Sequence, residues 1–125
     1  MRTRAGGPPD LEFAVPHPDG KDIWFDGVRY DGRGGVLLEA KGHYTGFVDA
    51  RTEDWYPWYR YSARSGLPAL LAQARRQVEA AQGDPVEWLC AQLVIAELLV
   101  DEFRASPALS GKVSASFEPM SGWVP

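Results

Sequence analysis

The sequence predicts an α/β domain built on one mixed sheet flanked by helices. Three observations carry this. Segments with an apolar period of two are interleaved with segments of strong helix formers, in the order β-β-β-α-β-α-β, which calls for a single sheet packed against helices. The length, 125 residues, is that of one domain. Hydrophobic residues make up 45% and charged residues 24%, close to the globular average, so a real core can form and wholesale disorder is excluded.

Taken in order, residues 1–20 hold four prolines and three glycines and read as a leader or linker remnant, with the domain proper over 21–125. Within the leader, Leu11 to Val15 starts with apolar–polar alternation and fits an edge strand. Ile23 to Tyr30 is rich in aromatic and β-branched residues and reads as one strand. The turn chemistry of Asp31-Gly32-Arg33-Gly34-Gly35 joins it to a second strand, Val36 to Lys41, as a hairpin. Asp49 to Arg64 is irregular and aromatic. Pro68 stands where a helix starts, and Ala69 to Gln82 is helix former stopped by Gly83 and Pro85. Val86 to Ala91 reads as a strand, Leu93 to Arg104 as a helix, and Lys112 to Glu118 as a last strand.

Composition excludes several classes. The formal net charge of −4 gives no long-range field for a polyanion, so any anion must be held by a local site. Charge is uneven, however: residues 51–82 carry five arginines against three acids, a net of +2. Cys90 is the single cysteine, which rules out an intrachain disulfide and a multi-Cys zinc site; on an internal strand it reads as a core residue. No apolar stretch approaches the roughly 20 residues needed to cross a bilayer, and the first residues lack an apolar h-region. A soluble chain without signal peptide or membrane insertion is expected.

The chemical signal is Asp26, followed after twelve residues by Glu39-Ala40-Lys41. Two acids and a lysine on adjacent strands suit metal-assisted phosphodiester hydrolysis. Carboxylates suit a hard ion such as Mg²⁺ (or Mn²⁺), and the lysine can orient or deprotonate water and neutralise developing charge. Glu39 and Lys41 share a strand face. Asp26 joins them only if the hairpin pairs residues whose numbers sum to 65, because a one-residue slip flips every side chain. Ala40, between them, would point into the core and could lend its carbonyl to the metal. Asp19-Gly20-Lys21 repeats the acid-x-Lys triplet in a turn that cannot align side chains. His43 follows the lysine by two and can share its face near a phosphate. The aromatic run Trp55 to Tyr61 reads as packing, or alternatively as a stacking surface for unpaired bases with Arg60 and Arg64 on phosphates.

Trp24-Phe25-Asp26-Gly27 and Leu37-Leu38-Glu39-Ala40-Lys41-Gly42 with Tyr44 resemble the core of the restriction endonuclease fold toxin 5 family, a PD-(D/E)XK nuclease branch. The resemblance continues through Gln73-Ala74-Arg75-Arg76-Gln77 and Pro85-Val86-Glu87-Trp88, covering about residues 20 to 105. It implies a restriction-endonuclease-like core with Asp26 and Glu39 as metal ligands and Lys41 as the catalytic lysine. It also implies that Gln77, as a further catalytic residue, forms with Gln73 and Arg76 a polar strip over the site, contacting phosphate; the alternative is an exposed helix face. The chain departs from the pattern in having Leu89 and Cys90 after the strand tryptophan, and Glu12 is the nearest candidate for the acid expected ahead of the hairpin. The implied function is a metal-dependent nuclease, with DNA as substrate ahead of RNA, in a delivered effector acting in the cytoplasm of a target cell and countered by a cognate immunity protein. The alternatives are a non-catalytic protein- or nucleic-acid-binding module on the same fold, and a metal-dependent ribonuclease.

Overall fold

A short hairpin leads into a four-stranded mixed sheet. The structure, a computed structural model, describes residues 13–32 and 34–119; Leu11, Glu12 and Arg33 lie outside the described residues. Strand β1 (Phe13–Pro16) pairs antiparallel with β2 (Asp22–Phe25). Residues 13–20, grouped with the leader by their prolines, are therefore built into the fold: Val15 packs against the core and His17 Nε2 lies 2.7 Å from Glu79 Oε1.

The stretch expected as one strand over 23–30 is two. It breaks at Asp26, and β3 (Gly27–Asp31) turns to a new partner, β4 (Gly34–Lys41). The β3–β4 register pairs Gly27 with Leu38 and Asp31 with Gly34, so the numbers sum to 65, the register that the site requires. The ladder runs into the expected turn segment, since Asp31 and Gly34 themselves pair, as do Tyr30 and Gly35. Asp26 explains the break locally. Its backbone N–H still donates to Leu38 O at 2.9 Å, and its carboxylate takes the Ala40 N–H at 2.8 Å, so a side chain replaces a strand as the acceptor there.

The irregular aromatic stretch also carries regular pieces: a 3₁₀ turn (Thr45–Phe47), the small hairpin β5 (Val48–Asp49) with β6 (Asp54–Trp55), and helix α1 (Pro57–Arg60). These elements are too short for a periodicity signal. Helix α2 spans Leu67–Ala81, two residues earlier than its composition suggested, because Pro68 is tolerated in the first turn. It ends on Gln82 at φ 50° and Gly83 at φ 99°. Strand β7 (Val86–Cys90), helix α3 (Leu93–Ala105) and strand β8 (Val113–Phe117) follow close to expectation.

The sheet order is β3-β4-β7-β8, antiparallel at its first pair and parallel at the other two. Leu37, Val86, Trp88, Cys90 and Val113 form one core with Leu70 and Ala74 of α2 and Ile95, Leu99 and Phe103 of α3. Both long helices thus cover the sheet face that also carries Glu39 and Lys41. The opposite face holds a separate buried cluster, Val36, Leu38 and Leu89, and an ion pair between Arg29 and Glu87. Ala40 turns to this opposite face and is only half-buried, not in the main core as expected.

The aromatic segment is divided between packing and surface, with Trp58 and Tyr61 exposed. Trp55 and Tyr59 are buried, Phe47 stacks on Tyr59 with ring centroids 4.3 Å apart, and Trp55 Nε1 donates to Glu102 Oε2 at 3.1 Å. Gly66 permits the close contact between α1 and α2: a Cβ there would fall 2.1 Å from the Tyr59 carbonyl oxygen and 2.8 Å from Ser62. Gly66→Ala is expected to cost about 3 kcal/mol or more, the upper end for overpacking against backbone. Gly46→Ala, which meets nothing within 4 Å, should be near neutral. Urea denaturation of the two variants checks this; equal midpoints would refute the packing account.

Candidate active site

Strand β4 places Leu37, Glu39 and Lys41 on one face, and the parallel register sets Glu39 beside Trp88 and Lys41 beside Cys90. Helix α2 crosses this face with Gln73 and Gln77 one turn apart. The result is a closed polar cluster in an apolar setting. Glu39, Lys41, Gln77 and Asp26 are the buried polar side chains among the described residues.

The contacts are mutually determined. Lys41 Nζ lies 3.0 Å from Glu39 Oε2 and donates to Gln73 Oε1 at 2.8 Å, and Gln73 Nε2 donates to Glu39 Oε2 at 3.2 Å. Gln77 Nε2 donates to Glu39 Oε1 at 3.1 Å, and Trp88 Nε1 donates to Gln77 Oε1 at 2.7 Å. Lysine and tryptophan are donors only, so each must meet an amide oxygen, which aims each amide NH₂ at the carboxylate. The Trp88 ring also lies under the ammonium, with Nζ 4.5 Å from its centroid. Trp88 therefore orients Glu39 through Gln77 and supports Lys41 directly.

Burial pushes the Glu39 carboxyl above its ordinary 4.5; Lys41 pulls it down and the neighbouring Asp26 charge pushes it up, with a net rise. Such a carboxylate is under-compensated, which is the condition a divalent cation would relieve. The donor set fits a hard ion. Mg²⁺ is commonly held by one or two carboxylates, and Asp26 and Glu39 are the two that interact here. Asp26 and Glu39 would hold it. Cys90 takes no part: burial pushes its thiol up to about 12 and leaves it an inert core residue.

The structure brings Asp26, Glu39, Lys41, Gln73 and Gln77 together but not the arginines. Arg76 turns to the β1–β2 turn and pairs with Asp19 at 2.9 Å. The Asp19 carboxyl there is lowered to about 2, first by the Lys21 N–H and then by Arg76. Arg60 pairs with Asp54 at 2.7 Å and faces Glu102 at 3.6 Å. Both arginines are ion-paired within the fold. Arg64 is exposed. His43 is exposed after β4, where Gln92 secures the chain: its Oε1 accepts the Tyr44 and Thr45 N–H groups at 2.7 and 3.1 Å, and its Nε2 meets His43 Nδ1 at 3.3 Å. With Nδ1 accepting from this amide, the neutral imidazole keeps its proton on Nε2.

Two residues escaped the sequence reading. Gln92 sits between a strand and a helix with no pattern around it, and Trp88 reads simply as a strand aromatic. A cavity of about 450 Å³, lined by His43, Tyr44, Phe47, Tyr59, Ser65 and Gln73 among others, opens beside the cluster. Clefts of about 460 and 360 Å³ open at the other end of the sheet, near Pro85 and Lys112, away from Glu39.

A family model described as restriction endonuclease fold toxin 5 matches residues 5–93, a span that contains the whole polar cluster. No curated protein matches the chain.

Two outcomes follow from this geometry. Trp88→Phe keeps a ring under Lys41 but orphans the buried Gln77 oxygen, at an expected cost of about 1–3 kcal/mol. In a Gln77→Leu background the same change should cost clearly less, and equal costs in urea denaturation would refute the orienting role. The raised Glu39 pKa means that the folded protein binds this proton more tightly than the unfolded chain. Its contribution to stability therefore declines as pH climbs from 4.5 through the raised value. In chelator, Glu39→Gln should gain on wild type across that window and run parallel to it below 4.5; a gap independent of pH would contradict the assignment.

Proposed function

We propose, from the premise that the chain belongs to the restriction endonuclease fold toxin 5 family, that it is a metal-dependent nuclease acting as a toxin domain, with DNA as its substrate. The observation that carries the reading is the convergence of Glu39, Lys41, Gln73 and Gln77, with Asp26 alongside, at one end of β4.

Asp26 and Glu39 would hold Mg²⁺ or Mn²⁺, with the Ala40 carbonyl as a further oxygen donor. When bound, such an ion neutralises charge at a phosphate and makes water a better nucleophile. The chain's own residues do the rest. Lys41 carries three donors, of which Glu39 and Gln73 engage two; the third is left for a phosphoryl oxygen, where the ammonium offsets the charge that builds in displacement. Gln73 and Gln77 fix the Glu39 carboxylate from two sides, so its geometry is set before substrate arrives. Trp88 closes the floor beneath the ammonium and excludes water there. His43, with its proton on Nε2, and the exposed Arg64 are the groups suited to flanking phosphates.

A toxin domain of this kind implies a delivered effector, acting in the cytoplasm of a target cell, and a cognate immunity protein that covers the site. Among the described residues no helix is long and apolar enough to cross a membrane. Purified protein should nick supercoiled plasmid with Mg²⁺ or Mn²⁺ and not in chelator, and Lys41→Ala should lose on the order of a hundredfold or more in rate. RNA offered in the same assay decides between deoxyribonuclease and ribonuclease. Intact DNA and RNA with both ions, or a Lys41→Ala variant that cuts at the wild-type rate, would sink the enzyme and leave a non-catalytic module.

A further inference from the structure

The cavity beside the cluster has walls that phosphate chemistry alone does not require. At about 450 Å³ it lies in the size range of small-molecule sites. Tyr44 and Phe47 are half-buried and line it, their rings edge to face at 5.5 Å, with Tyr59 stacked behind Phe47. Polar residues stand at the same cavity: His43, with Nε2–H as its free donor, and Ser65. The exposed Arg64 precedes Ser65 at the rim.

Gln73 is common to both places. It lines the cavity, and its amide bonds both Glu39 and Lys41. A group held in the cavity is therefore next to whatever reacts at Glu39. On the nuclease reading, that neighbour is a nucleotide adjoining the reacting phosphate, and its flat, polar-edged base matches aromatic walls with donors at the rim.

We infer that this cavity is a nucleobase subsite that takes one unpaired base of the strand being cut, which makes single-stranded or locally opened nucleic acid the preferred substrate. A base inside a duplex has both faces stacked and its pairing edge occupied; it enters a concave pocket only after leaving the helix. The inference rests on the nuclease reading for the strand at Glu39. The depression is open to solvent, and its floor is held by local packing: Gly66 lets α1 and α2 approach, and Gln92 anchors Tyr44 and Thr45.

Binding and cleavage test it separately. In chelator, where no cut is made, fluorescence anisotropy compares labelled oligothymidylate and oligouridylate with an abasic strand of equal length and with a duplex. The base-bearing single strands should bind at least about tenfold more tightly than the abasic strand and the duplex. Ala69→Trp, which fills the cavity from α2, should bring their affinity down to the abasic level. Should that variant misfold by circular dichroism, Tyr44→Ala decides: it removes one aromatic wall and should weaken the base-bearing strands and spare the abasic one. Equal binding of abasic and base-bearing strands, equal binding of duplex, or wild-type affinity in a folded Ala69→Trp variant overturns the inference. The oligothymidylate and oligouridylate arms show whether deoxyribose or ribose strands are preferred. Cleavage with Mg²⁺ alongside base-independent binding leaves the nuclease reading standing and removes the subsite. Base-dependent binding without any cleavage does the reverse.

Discussion

The arrangement depends on burying one carboxylate, Glu39, under a helix without leaving it unpartnered. An ionised carboxylate out of water costs far more than the domain can tolerate unless every lone pair is engaged. Here the solution is a chain of donors that cannot be reversed: Trp88 to Gln77, Gln77 to Glu39, Lys41 to Gln73, Gln73 to Glu39. Each glutamine is oriented by a group that can only donate. The network joins β4, β7 and α2, so the same bonds that offset part of the cost of the buried charge also hold the helix over the sheet. Packing and chemistry are not separable at this point of the fold.

The surrounding pieces serve the same end. Asp26 reaches the cluster because the chain stops being one strand at that residue. Its side chain accepts the Ala40 N–H, and the backbone then passes from the β1–β2 hairpin to the β3–β4 pair. The aromatic segment between β4 and α2 supplies core in Trp55 and Tyr59 and a cavity wall in Phe47. Of the five arginines that gave this region its positive charge, Arg60 is engaged with Asp54 and Glu102 and Arg76 with Asp19. Net charge along a segment is therefore a poor guide to anion binding, because sequence position does not reveal which charges are paired.

What could be read directly was whatever depends on local periodicity. The β3–β4 hairpin, α2, β7, α3 and β8 follow from apolar spacing and from Pro and Gly punctuation, and they lie within a few residues of expectation. Two-residue strands and one-turn helices carry no such period, so β5, β6 and α1 were not visible. The break at Asp26 was hidden for a different reason. The residues on either side have high strand propensity, and only the competition between two partners decides that they belong to different sheets.

The sheet-and-helix alternation, the shared face of Glu39 and Lys41, and the family to which those motifs point are all legible in the residues alone. Each of these is a matter of spacing along one element, where covalent geometry dictates the outcome. The 65-sum register was a demand the sequence could state but not decide, because pairing two strands is a long-range choice. That Trp88 lies beneath Lys41, that Gln92 holds the chain after β4, and that Arg60 and Arg76 pair within the fold is settled by long-range packing. Those contacts join residues far apart in the chain, and their energies exist only once the core has brought the elements together.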